Sequence, residues 1–228
     1  MNTRSKRAIS VLLAFCMIFA GLSVSAFAGN SELSEEVTEV ASASMPFPFS
    51  DVPQEAWYTS AVLLMHSRNI MLGTSPNIFS PHTDMSRAMA VAALFRMEYG
   101  RPANSGDSRD NPFHDVPESV WFAPYVSWAY RNDIVNGDGG GYFVPYDAMT
   151  REAFATMLHR YVRPNYGVRV STLFPDIFEV SMWAEDGVHW AILHGFLRGT
   201  DAGMLNPQGA TSRAEGAMIL ARFLDQQK

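Results

Sequence analysis

One phrase recurs three times along this 228-residue chain, and a repeat of that kind limits the possible folds more than any single motif does. Phe-x-Asp-Val/Ile appears as FSDV (Phe49 to Val52), FHDV (Phe113 to Val116) and FPDI (Phe174 to Ile177). A tryptophan follows each aspartate: Trp57 and Trp121 six residues on, Trp183 seven on. Next come Gly73, Gly137 and Gly199, and from there the register holds. Six residues after each glycine lies Phe79, Phe143 or Leu205, two further lies Pro81, Pro145 or Pro207, and eight after the Phe/Phe/Leu lies a Ser/Thr-Arg pair. Those pairs are Ser86-Arg87, Thr150-Arg151 and Ser212-Arg213, each followed nine residues later by Arg96, Arg160 or Arg222.

One copy reads as two helices. AWYTSAVLLMHSRNI, VWFAPYVSWAYRNDI and MWAEDGVHWAILHGF place apolar residues at helical spacing, such as Ala61, Leu64 and Met65, or Val126, Ala129 and Tyr130. The repeated glycine is expected to end this first helix, and the proline to delay the next. Ser86, Thr150 and Ser212 are N-caps for the second helix, with Glu215 completing a capping box in the third copy. Its buried stripe aligns as Ala93/Met157/Ile219, Leu94/Leu158/Leu220 and Met97/Tyr161/Phe223. No strand pattern appears. The expectation is an all-α fold in which three tandem two-helix repeats, 49–104, 113–165 and 174–228, pack as one pseudo-threefold domain, because one such unit cannot bury its apolar face alone. RPANSGDSRDNP (Arg101 to Pro112) and RPNYGVRVST (Arg163 to Thr172) read as surface connectors.

The first 28 residues carry a basic start (Arg4, Lys6, Arg7), an apolar run from Ala8 to Ala20 and an Ala26-Phe27-Ala28 cleavage site, which together predict a secretory signal peptide. Cys16, the one cysteine, lies within it, so an exported mature chain must rely on an ordinary core. Removing Arg4, Lys6 and Arg7 takes the formal net charge from −6 to −9, which argues against nucleic acid as a partner and against a membrane surface once the signal is gone. Residues 29–48, with Glu32, Glu35, Glu36 and Glu39 among small residues, read as an acidic disordered linker.

Catalytic and metal chemistry find no support. NGDGGGY (Asn136 to Tyr142) follows a helix and lacks the Lys-Ser/Thr of a phosphate loop, so it reads as a turn. Asp133, Asn136 and Asp138 lack the alternation and distal Glu of a calcium loop, and His189 and His194 have no zinc-ligand spacing. No cofactor is expected. Trp57, Trp121 and Trp183 fit core packing and a sugar-stacking platform equally well. The arginines are more telling. At the first helical position, beside the positive end of the macrodipole, a cation costs a few tenths of a kcal/mol, up to about 1. The residues after it diverge (Ala88, Glu152, Ala214, then Met89, Ala153, Glu215), yet Arg87, Arg151 and Arg213 recur. Two accounts remain open: a salt bridge to Asp51, Asp115 or Asp176, or an anion site built from the guanidinium and free helix N–H groups.

The threefold pattern F-x-D-[VI], Trp, Gly, [FL]-x-P and [ST]-R resembles the S-layer homology domain over about Phe49 to Asp225. The resemblance implies a single helical body with grooves between its repeats. It also implies a non-catalytic module that anchors exported proteins to the bacterial cell wall by binding a secondary cell-wall polysaccharide, in several cases through a pyruvylated amino sugar. Carried over by position, Arg87, Arg151 and Arg213 would bind the acid group. Asp51, Asp115 and Asp176 would meet sugar hydroxyls or orient the arginines, Trp57, Trp121 and Trp183 would line the grooves, and Gly73, Gly137 and Gly199 would let the backbone come close. The copies differ from one another: the first reads SRAM where the family often has T-R-A-E, and the third has Leu205 for Phe and a one-residue shift before Trp183. A rival expectation is a structural or assembly protein of the envelope that binds another exported protein or itself.

Overall fold

The computed structural model describes residues 47–104, 111–164 and 174–227. The expected signal peptide, most of the expected linker, and connector residues 105–110 and 165–173 lie outside these. Among the described residues there are six α-helices, α1 (Thr59–Ser67), α2 (Arg87–Tyr99), α3 (Ala123–Arg131), α4 (Arg151–Val162), α5 (Glu185–Leu193) and α6 (Arg213–Asp225), and no strand of any length. None of them is long and apolar enough to cross a membrane.

The starts of the second helices follow from their caps. Ser86, Thr150 and Ser212 adopt extended backbone, and each hydroxyl accepts from the N–H three residues on at 3.2 Å. Glu215 returns a bond to the Ser212 N–H at 2.8 Å, so the expected capping box is present. The ends of the first helices correct the expectation. Gly73, Gly137 and Gly199 do not terminate α1, α3 and α5; each helix stops earlier, at a left-handed Asn69, Asp133 or Gly195. There the N–H of Ile70, Ile134 or Phe196 closes onto the carbonyl of Met65, Ala129 or Ala191 at 2.8–2.9 Å, and the preceding N–H closes onto His66, Tyr130 or Ile192. This double closure is a Schellman motif, and Asn, Asp and Gly are the residues that tolerate its left-handed position.

The repeated glycines do another job. A Cβ on Gly137 would lie 2.5 Å from Phe113 Cε1 and 2.6 Å from the Tyr142 carbonyl, and one on Gly199 would lie 2.6 Å from Phe174 Cε1. The first phenylalanine of each copy thus packs onto the glycine of the same copy, leaving no room for a side chain.

Helix packing runs between repeats. α2 lies on α3, α4 on α5 and α6 on α1, so the second helix of each copy packs on the first helix of the next and the third copy closes onto the first. Leu94, Leu158 and Leu220 are fully buried, as are Phe79, Phe143 and Leu205. Of the expected stripe only Met97 and Tyr161 stay partly exposed, and Tyr130 is 39% exposed with its ring packed edge-on against Phe113. At the centre the segments ahead of α2, α4 and α6 form a ring of backbone hydrogen bonds. Met85 N–H donates to Thr211 (2.9 Å), Thr211 N–H to Met149 (2.7 Å), and Met149 N–H to Met85 (2.7 Å). This closed ring gives the pseudo-threefold arrangement a physical axis and pairs backbone groups that burial would otherwise orphan.

Candidate functional site

The N-termini of α2, α4 and α6 are not open anion sites. Their first two N–H groups already have acceptors in the next repeat: Arg87 and Ala88 donate to Asp147 and Pro145, Arg151 and Glu152 to Gly209 and Pro207, and Arg213 and Ala214 to Thr83 and Pro81, all at 2.9–3.0 Å. With the third N–H taken by the cap, the first three helical N–H groups are all engaged. The expectation of free N–H groups beside the arginine is therefore corrected.

Each arginine reaches across the same seam. Arg87 Nε donates to the Phe143 carbonyl (2.9 Å), Arg151 Nε to Leu205 (2.8 Å) and Arg213 Nε to Phe79 (2.8 Å). Arg213 also donates through Nη2 to Leu72 (2.7 Å), and Arg151 through Nη2 to the Arg198 carbonyl. The guanidinium of Arg87 stands 5.0 Å from the Phe143 ring centre and that of Arg213 4.5 Å from Phe79. Where Leu205 replaces the ring, Arg151 instead pairs with Glu215 at 3.4 Å.

The aspartates hold those same three residues from behind. Asp51 accepts the N–H of Phe79 and Ser80, Asp115 those of Phe143 and Val144, and Asp176 those of Leu205 and Asn206, every bond 2.7–2.8 Å. Ser80, Val144 and Asn206 all have positive φ (51–59°), and for the β-branched Val144 this is a strained conformation. Two carboxylate bonds per copy hold that strained turn in place. Among the described residues no salt bridge joins Arg87, Arg151 or Arg213 to Asp51, Asp115 or Asp176, and none of these three aspartates lines one of the three grooves.

The grooves themselves draw on all three repeats at once. The first, about 330 Å³, is lined by Gly73 and Arg96 of the first copy, Trp121 of the second and Arg213 of the third. The second, about 390 Å³, gathers Gly137 and Arg160 with Trp183 and Arg87. The third, about 330 Å³, gathers Gly199 and Arg222 with Trp57 and Arg151. The tryptophans are 61%, 54% and 56% exposed, so the equal choice between core and surface platform falls to the surface. Each groove thereby acquires a flat aromatic wall and at least two guanidiniums, and the glycine brings backbone to its floor.

Sequence reasoning assigned no role to Arg96, Arg160 and Arg222, although their ninefold spacing from Arg87, Arg151 and Arg213 was visible. Asp138, weighed from the sequence only as a calcium ligand, instead organises the glycine-rich turn: its carboxylate accepts from Gly140 (2.7 Å) and Tyr142 (3.0 Å), and it lines the second groove. Burial lowers the pKa of the clamp arginines against partial compensation by carboxylates. It pushes Arg213 down to about 10 with Asp51 opposing, and lowers Arg151 with Glu215 and Asp176 opposing. Arg87 is lowered by burial too, with Asp147, Asp115 and Asp138 opposing. Partly dehydrated cations at a groove wall gain from an anionic ligand.

The sequence profile of the S-layer homology domain matches residues 48–90, 112–155 and 173–217, one match on each structural repeat. The chain belongs to the S-layer homology family. Among similar proteins, an endoglucanase of Bacillus sp. (strain KSM-635) is 28% identical over 96% of this chain and 22% of that protein. The cellulosome-anchoring protein of Acetivibrio thermocellus is 27% identical over 67% of this chain and 35% of its own length. S-layer protein EA1 of Bacillus anthracis is 27% identical over 81% of this chain and 21% of its own. The chain thus spans between about a fifth and a third of the length of these relatives.

Proposed function

We propose that this chain is a non-catalytic anchoring module that holds an anionic secondary cell-wall polysaccharide at the bacterial surface, with the acid group, of the pyruvyl type, in the grooves. The observation that carries this reading is the composition of each groove: at least two arginines, an exposed tryptophan and a glycine, supplied by three different repeats. A pyranose presents an apolar face that matches the tryptophan and hydroxyls that match backbone at the glycine, while a carboxylate matches a guanidinium fork. The names of the relatives, a cellulosome-anchoring protein and an S-layer protein among them, fit the same role.

Alanine at Arg87, Arg151 and Arg213 together would confuse binding with folding, because these side chains clamp the repeats. The exposed tryptophans give the cleaner test. Wild-type protein should pellet with cell-wall sacculi, and a folded Trp57→Ala, Trp121→Ala, Trp183→Ala variant should stay in solution. Equal pelleting would overturn the groove assignment. Pelleting of wild type that persists on sacculi stripped of secondary polymer would instead favour an envelope protein as partner.

A further inference from the structure

The three grooves are not equivalent, and the third differs by one residue at its floor. The position before the repeated glycine is Leu72 in the first copy, Asn136 in the second and Arg198 in the third. Leu72 and Arg198 present their carbonyls to the clamp arginine of the neighbouring repeat, so the backbone there is the same and only the side chain changes. The third groove consequently contains Arg151, Arg198 and Arg222.

Their charges are unequally compensated. Glu215 is committed, one oxygen to Arg151 and the other to the Ser212 N–H. Asp201, exposed at the rim, forms no ion pair with Arg198 or Arg222 among the described residues. Among the described residues Arg222 donates one hydrogen bond, from Nη1 to the Phe196 carbonyl at 3.2 Å. Burial lowers the pKa of Arg222, and the charges of Arg198 and then Arg151 lower it further; its counterpart in the first copy, Arg96, sits on the Tyr125 ring in a groove that holds Arg213 but has Leu72 where the third has Arg198. Guanidiniums that share one groove repel one another until an anion joins them.

We propose that Arg198 and Arg222 form a second oxyanion subsite in the third groove, beside the Arg151 position, for a phosphate or a second carboxylate carried on the same saccharide. The inference rests on the groove reading above, and adds that one groove of the three takes a ligand bearing two anionic groups.

The probes are sodium phosphate and sodium acetate, titrated into the full chain while the arginine Nε–Hε resonances are followed. Arg222 should shift saturably with phosphate, at least about tenfold tighter than Arg96 or Arg160, as expected for one added charge-assisted bond. Arg198 is exposed, so Arg198→Gln should keep the fold, read from unchanged amide resonances, and bring Arg222 to the level of the other two. Tighter phosphate than acetate assigns the subsite to a phosphate, the reverse to a carboxylate, and both support it. Equal affinities at Arg96, Arg160 and Arg222, or an Arg198→Gln protein that binds as wild type does, would overturn it. Failure of the sacculus experiment with a normal phosphate titration would remove the anchoring reading and leave the subsite intact.

Discussion

Arg87 and Asp115, on adjacent repeats, hold the same residue from opposite sides: Arg87 Nε donates to the Phe143 carbonyl at 2.9 Å and Asp115 Oδ1 accepts from the Phe143 N–H at 2.8 Å. Arg151 with Asp176 about Leu205, and Arg213 with Asp51 about Phe79, repeat the relationship. The recurring arginine and the recurring aspartate are therefore linked through a peptide unit and not through a salt bridge. An arginine at the first helical turn is tolerated because its charge is carried away from that turn into the neighbouring repeat.

The clamps differ in strength. Arg151 and Arg213 are 5% and 4% exposed and satisfy two carbonyls each, whereas Arg87 is less buried and satisfies one. Arg151→Ala should cost roughly 3 kcal/mol and Arg87→Ala roughly 1.5 kcal/mol, read from urea midpoints at constant m, since a lost bond to a charged donor is worth about 1.5 to 3 kcal/mol. Equal losses would show that the second carbonyl bond contributes nothing.

Acid should loosen the turn that Asp176 supports. Burial raises the Asp176 pKa, but the N–H groups of Leu205 and Asn206 outweigh it and leave the group below its ordinary 3.8. A folded pKa below the unfolded one means stability that is complete above about pH 4 and lost as pH falls through the folded value. Asp176→Asn should be less stable at neutral pH and show a shallower acid limb in thermal melts. An unchanged limb would contradict the carboxylate's role.

Much of this molecule was legible in the sequence because repeats, caps and helical stripes are local. Ser86, Thr150 and Ser212 announce their helices, and Leu94, Leu158 and Leu220 their core. Cyclic closure was not legible. That Arg213 of the last repeat meets Phe79 of the first, or that Trp57 faces Gly199, depends on pairings across more than a hundred residues. The helix N–H groups looked free for the same reason: their acceptors lie in another repeat. The helix ends were misplaced because the eye goes to glycine, while Asn69 and Asp133 serve the left-handed position in two copies.

His159 should give a second, milder pH dependence. Burial, against Trp190 at 5.6 Å between ring centres, lowers its pKa from 6.5, with Asp186 opposing and Arg160 reinforcing. The unfolded chain then takes up the proton first, so stability held above about pH 6.5 declines as pH drops towards the folded value. His159→Gln should flatten chemical-denaturation stability between about pH 7 and about pH 5. A slope identical to wild type would assign the effect elsewhere.

Two neighbouring glycines separate packing from backbone freedom. Gly137→Ala places a methyl against Phe113 and the Tyr142 carbonyl at φ +73°, and should cost about 2 to 4 kcal/mol by overpacking and backbone strain together. Gly139→Ala, at φ +86° but facing open space, should cost only about 1 kcal/mol. Thermal denaturation of the pair resolves the difference, and matching losses would remove the Phe113 contact as the reason for the repeated glycine.

The most direct measurement of the central claim is calorimetric titration of the full chain with purified secondary cell-wall polymer, before and after mild removal of its acid substituents. Binding to the native polymer should saturate, weaken at least about tenfold once the acid groups are gone, and be absent for the folded triple tryptophan variant. Equal affinity for the two polymers would contradict that claim.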